Sequence, residues 1–102
     1  MGDLCAALHL IHYHTHNSRN SAGGFPDSVI VGTRILFREL KREHEALYKL
    51  PDDQETWRDG LIEAGADWAI WRPSDWFPSG DYPRGRIRAE LEAITFKLRG
   101  GQ

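Results

Sequence analysis

GGFPDSVIVGTRILFRELK, residues 23–41, is the stretch that decides the fold. DSVIVG at 27–32 is nearly continuous in apolar residues and reads as a strand. RILFRELK at 34–41 reads as another, and Gly32-Thr33 between them offers a tight turn. Two short strands joined so closely predict a β-hairpin. Strand alternation places Glu39 and Lys41 on one face, downstream of Ile35 and Phe37. An apolar face that turns charged at the end of its strand is unexpected for a plain core strand. Asp27 begins the neighbouring strand, and in an antiparallel hairpin the start of one strand lies beside the end of the next. Pairing alone therefore predicts Asp27 next to Glu39.

Upstream, DLCAAL at 3–8 reads as the last turns of a helix, with Leu4, Ala7 and Leu8 on one face, too short to be stable alone. HLIHYH at 9–14 reads as the first strand, and the turn formers of 14–26 as a loop. Downstream, 42–50 is either a helical turn or an ordered loop. Pro51-Asp52-Asp53 reads as a helix start with Asp52 or Asp53 as cap. QETWRDGLIEAG follows as the helix, with Gly65 as C-cap and Trp57, Leu61 and Ala64 as its buried stripe. DWAIWRP at 67–73 reads as a fourth strand stopped by Pro73, and 74–85 as a loop. RIRAELEAITFKLRG at 86–100 reads as a closing amphipathic helix with Ile87, Leu91, Ile94 and Leu98 on one stripe. The predicted class is α/β: a small mixed β-sheet flanked by helices in the order αβββαβα, the first helix short or truncated.

The chain has 102 residues, enough for one domain, 1–102, and not for two. Formal charge is −2, from 13 Lys+Arg against 15 Asp+Glu, so any contact with a polyanion must rest on local positive charge or a bound cation. The lone cysteine, Cys5, excludes an internal disulfide and fits a reducing cytosol. No segment reads as a membrane span, and the N-terminus lacks the pattern of a secretion signal.

Two carboxylates beside an ammonium need a reason. Two unneutralised carboxylates in a half-buried place repel, and one takes up a proton. A hard divalent cation removes the conflict, and oxygen ligands suit Mg²⁺ or Mn²⁺. The Leu40 carbonyl, between Glu39 and Lys41, is a natural further ligand. Such a cation would polarise a scissile phosphate and lower the pKa of an attacking water. Lys41 would orient that water or stabilise charge on the phosphoryl oxygens. Taken alone the spacing is weak, because Glu-x-Lys is common on exposed hairpins.

The wider context resembles a known family. Residues 23–41 look like the core of the PD-(D/E)xK nucleases, in particular the VRR-NUC family. Tyr13 to Arg19 is similar to the segment that precedes the Gly-Phe-Pro-Asp turn in small phage and bacterial members. Gln54-x-x-Trp57 with the later Gly65 resembles the family's glutamine helix, and AIWRPSDW at 69–76 its closing strand. The match runs through nearly the whole chain in the expected order. It implies a restriction-endonuclease-like core, metal ligation by Asp27 and Glu39, catalysis assisted by Lys41, and support from Gln54. Family members usually carry a metal-binding Glu on the first helix. Here only Asp3 is acidic, too close to the first strand to fill that role, so the true start lies upstream, or the site works without that ligand, or the site is weakened. Residues 42–50 are longer than the usual connection.

His9, His12, His14 and His16 could suggest zinc, but His12, His14 and His16 share one strand face and no cysteine pair completes a site. His14 and His16 are instead expected near the active-site mouth, with Ser18 and Arg19 as phosphate contacts. Arg72 is a further candidate for the substrate. Trp57 and one of Trp68 or Trp71 are expected in the core, and Trp76 and Phe77 on a partner surface. Arg84, Arg86 and Arg88 read as a solvated helix start.

The resulting expectation is a divalent-metal-dependent endonuclease acting on branched or duplex DNA. By analogy with junction-resolving enzymes it would act on four-way (Holliday) junctions, as a homodimer with two active sites at a fixed separation. The rivals are a catalytically weak or inactive DNA-binding module that keeps the fold, and a toxin-like or packaging-related interaction protein.

Overall fold

Strand alternation in 27–41 becomes an antiparallel pair in the computed structural model, which describes residues 1–15, 23–44 and 50–96. The elements are α1 (Gly2–Ala7), β1 (Ile11–His14), β2 (Ser28–Val31), β3 (Ile35–Leu40), α2 (Asp52–Glu63), β4 (Asp67–Trp71), a 3₁₀ turn (Pro73–Trp76) and α3 (Arg86–Ala93). This is the αβββαβα order and mixed α/β sheet expected from the sequence. The sheet runs β1-β2-β3-β4. The first three strands are antiparallel and β4 lies parallel to β3. A parallel neighbour requires a crossover, and α2 supplies it.

The sheet separates two layers. On one face Ile30, Leu36 and Trp71 pack with Cys5, Leu10, Ile87, Leu91 and Ile94, so α1 and α3 cover this side. Burial pushes the Cys5 thiol up from its ordinary range. Arg38 belongs to the same face at 2% exposure. Its guanidinium donates to Glu90 Oε1 at 3.0 and 3.2 Å, to the Asp67 carbonyl at 2.7 Å and to the Phe37 carbonyl at 3.0 Å. On the other face the Phe25 ring stands edge-on to Trp57 and Phe37, at 4.9 and 6.3 Å between centroids. Here α2 covers β3 and β4. On the same face Ile11 at 66% and Tyr13 at 60% exposure on β1, and Ile35 at 47% at the start of β3, stay exposed.

Several sequence expectations shift. The turn between β2 and β3 takes three residues, Gly32 to Arg34, closed by Gly32 N–H donating to the Arg34 carbonyl at 3.0 Å. Gly32 is required there, because a Cβ would lie 2.1 Å from the Ile94 carbonyl oxygen. That contact also shortens the last helix. The Ile94 carbonyl accepts from Thr33 N–H at 2.7 Å, and α3 ends at Ala93 rather than near residue 100. Leu98 lies outside the described residues. Pro51, not Asp52 or Asp53, is the N-cap of α2, and no side chain caps it. Trp57 and Leu61 are half-buried, whereas Ala64 is exposed and leaves the predicted stripe. Gly65 follows the helix at φ +83°, the left-handed position expected of a C-terminal glycine. Strand β4 ends at Trp71, and Pro73 opens the 3₁₀ turn inside the predicted loop. Residues 42–44 are not helical, and 45–49 lie outside the described residues. Among the described residues, no helix is long and apolar enough to cross a membrane.

Candidate active site

Hairpin register builds the site. Ser28 pairs with Arg38, so the next pair outward is Asp27 with Glu39, at the open end of β2 and β3. Asp27 Oδ2 accepts from Leu40 N–H at 2.9 Å. In an extended strand a residue's N–H and C=O share an edge. The Leu40 carbonyl therefore lies on the Asp27 side, while the Lys41 N–H turns to β4 and donates to the Trp71 carbonyl at 3.0 Å. Asp27 is further held through its own carbonyl, which accepts from Thr15 N–H at 2.8 Å. Glu39 lies under the α2 face at 3% exposure. The Lys41 ammonium donates to Gln54 Oε1 at 2.9 Å, joining the strand to the first turn of α2.

The electrostatics follow from this packing. Burial, then a hydrogen bond with Asp27 and the charge of Asp27, push Glu39 from its ordinary 4.5 to about 8, against the opposing pull of Lys41. Asp53, on the first turn of α2, adds to the upward push. The sequence presented Asp53 only as a cap candidate. The one signal for its electrostatic part is its place next to Gln54.

A carboxyl whose pKa is raised by folding keeps its proton in the folded state after the unfolded chain has lost it. Protons then favour the folded state, and stability falls as pH rises. For the metal-free protein, stability should decline from about pH 4.5 to about pH 8, the interval between the two values for Glu39. Urea unfolding across that range should show the slope in wild type and a flatter dependence in Glu39→Gln. An identical slope in both proteins would count against the coupling of Glu39 to Asp27.

Other candidates fall elsewhere. His14 reaches the same end of the sheet, since it pairs with Ser28, but strand parity puts it on the face opposite Asp27, Glu39 and Lys41. His12 Nε2 lies 3.3 Å from Ser28 Oγ on that same opposite face. His16, Ser18 and Arg19 lie outside the described residues. Arg72 turns to the chain rather than outward: its guanidinium donates to the Arg42 and Glu43 carbonyls. Glu43 in turn accepts from the Ser74 N–H and hydroxyl, both at 2.8 Å. Arg72 thus fastens the start of the 42–50 connection to the end of β4. Trp71 is in the core, Trp68 is half-buried, and Trp76 and Phe77 are exposed.

Fold and site together define an α/β protein with facing carboxylates and a lysine at the end of a central hairpin. No protein-family model and no curated protein sequence matches the chain. Among solved structures it is similar to Hjc, a Holliday junction resolvase from the archaeal hyperthermophile Archaeoglobus fulgidus. The identity is 23% and the TM-score 0.49, over 93% of this chain and 97% of that one.

Proposed function

We propose that the protein is a divalent-metal-dependent DNA endonuclease of the PD-(D/E)xK type, similar to the VRR-NUC family, with Asp27, Glu39, Lys41 and Gln54 as its working residues. The observation that carries the reading is the facing pair of carboxylates. A buried Glu39 held against Asp27 keeps its proton to about pH 8, an arrangement with no structural benefit of its own. A cation resolves it. The donors fit a hard ion: two carboxylates and the Leu40 carbonyl on the same edge, all oxygen, suited to Mg²⁺ or Mn²⁺. When bound, the ion would supply Lewis acidity to a phosphodiester and acidify a water.

The chain's own groups do the rest. The Leu40 N–H fixes the Asp27 carboxylate. The Gln54 carbonyl oxygen accepts from the Lys41 ammonium, whose positive charge acts on Glu39 and would stabilise charge on a phosphoryl oxygen. The protein carries a formal charge of −2, so the cation and Lys41 together have to draw the phosphate in.

Branched DNA, four-way junctions above all, is the proposed substrate, and a homodimer the proposed assembly. The exposed Ile11, Tyr13 and Ile35 leave an apolar stretch of sheet to support a second copy.

One observation favours the rival, a weak or inactive DNA-binding module. Helix α1 packs in the core layer of α3, on the far side of the sheet from Glu39, and its acidic residue, Asp3, is exposed. Among the described residues the site then has two acidic ligands where family members usually have a further one on the first helix. Calorimetry separates the readings. Added Mn²⁺ at millimolar concentration should raise the melting temperature of wild type by several degrees and leave Asp27→Asn unmoved. An equal rise in both proteins would remove the proposed ligand set.

A further inference from the structure

Gly24 sits at φ +82° in the turn that leads to Asp27. A Cβ there would lie 2.3 Å from the Asp53 carbonyl carbon, 2.4 Å from its oxygen and 2.6 Å from Gln54 N. These are main-chain atoms of the first turn of α2, which cannot swing aside as a side chain can. Gly23 differs. Its Cβ would meet only Asp53 Oδ2, at 3.1 Å, the end of an exposed side chain. Beyond Gly24 the chain is pinned at each step. The Phe25 ring stands against Trp57 of α2 and Phe37 of β3. Pro26 is buried with its φ fixed by the ring. Asp27 is bound to Leu40 N–H. Residues 24–27 therefore form a strut between the first turn of α2 and the carboxylate end of the hairpin.

We infer that Gly24 is a positioning residue: its missing side chain lets the turn rest on the α2 backbone, and this sets Gln54 against Lys41. The inference builds on the proposed site. The Lys41–Gln54 contact is 2.9 Å long. A shift of α2 by about 1 Å, less than a Cβ at Gly24 would demand, takes it past hydrogen-bonding range. The Asp27–Leu40 contact belongs to the hairpin and does not depend on α2. Filling Gly24 therefore separates the two halves of the site, loosening Lys41 while the carboxylate pair remains.

The test uses the full chain as wild type, Gly23→Ala, Gly24→Ala, Gln54→Ala and Lys41→Ala. Three quantities are read: the Gln54 side-chain amide resonance, Mn²⁺ affinity, and cleavage of branched DNA. In Gly24→Ala the Gln54 amide should move toward its position in Lys41→Ala, whereas Gly23→Ala should leave it in place. Cleavage should fall about tenfold through kcat, as in Gln54→Ala, with KM and Mn²⁺ affinity within about twofold of wild type. Combining Gly24→Ala with Gln54→Ala should slow the reaction no further. An unmoved Gln54 amide in folded Gly24→Ala, or loss of Mn²⁺ affinity in step with cleavage, overturns the inference. Should Gly24→Ala not fold, Phe25→Leu loosens the same strut with the glycine kept. It must then displace the Gln54 amide, and failure to do so is equally decisive. If wild type cuts no DNA, the nuclease reading fails while the Gln54 resonance still decides the role of Gly24.

Discussion

Lys41→Ala is expected to cut DNA at least about a hundredfold more slowly than wild type, with its fold and Mn²⁺ binding intact. Lys41 is half-buried just past the end of β3, one of its contacts is with Gln54, and it is not part of the hydrophobic core. Removing it should cost little stability. What it takes away is the positive group beside Asp27 and Glu39, in a site whose other charges are negative. Lys41→Arg should recover only part of the rate, because a planar guanidinium cannot take the place of a compact ammonium on Gln54. Single-turnover rates at saturating Mn²⁺, with melting curves on the same samples, check both statements. A Lys41→Ala protein that cuts at the wild-type rate would remove Lys41 from the chemistry.

Glu90→Ala is expected to destabilise the protein by about 3 kcal/mol. The carboxylate gathers three donors: Arg38, Trp71 Nε1 at 2.8 Å and Arg86 at 2.7 Å. Burial works against its charge, but hydrogen bonds from Arg86 and Trp71 and the Arg38 charge outweigh this and hold it below its ordinary range. Its contribution is therefore present at neutral pH and lost as pH falls below the ordinary carboxylate range. Without it, Arg38 at 2% exposure keeps, among the described residues, Asp67, 3.0 Å away, as a carboxylate partner. The buried indole N–H loses its acceptor as well. Urea unfolding at pH 7 reads the change, and a loss under about 1 kcal/mol would show that Asp67 alone sustains the buried guanidinium.

Legibility from the sequence followed the range of the interactions. The Asp27–Glu39 encounter could be read because a hairpin is local and sets the start of one strand beside the end of the next, but the exact pair comes from the three-residue turn, since a two-residue Gly32-Thr33 turn would set Asp27 opposite Arg38. Lys41 on the same face follows from the same parity. Gln54 is reached through the resemblance, since nothing in the chain between Lys41 and Gln54, 13 positions apart, fixes where α2 begins over the sheet. The end of α3 was misjudged because its carbonyl partner, Thr33, is remote in sequence. Arg72 looked like a substrate contact because its neighbours gave no hint that it binds main chain 29 and 30 residues away. The Arg38–Glu90 pair joins residues 52 positions apart, so neither segment by itself signals it. Gly24 reads from sequence as turn punctuation. Only the approach of α2 gives its missing side chain a role.

Cleavage of a four-way DNA junction by the purified full chain is the decisive measurement. With Mn²⁺, wild type should cut the junction in preference to linear duplex of the same sequence. Chelation by EDTA should stop the reaction, and Asp27→Asn and Glu39→Gln should be inactive under the same conditions. A protein that binds the junction but leaves it whole with every divalent ion offered, or one that cuts equally well without any ion, would contradict the assignment.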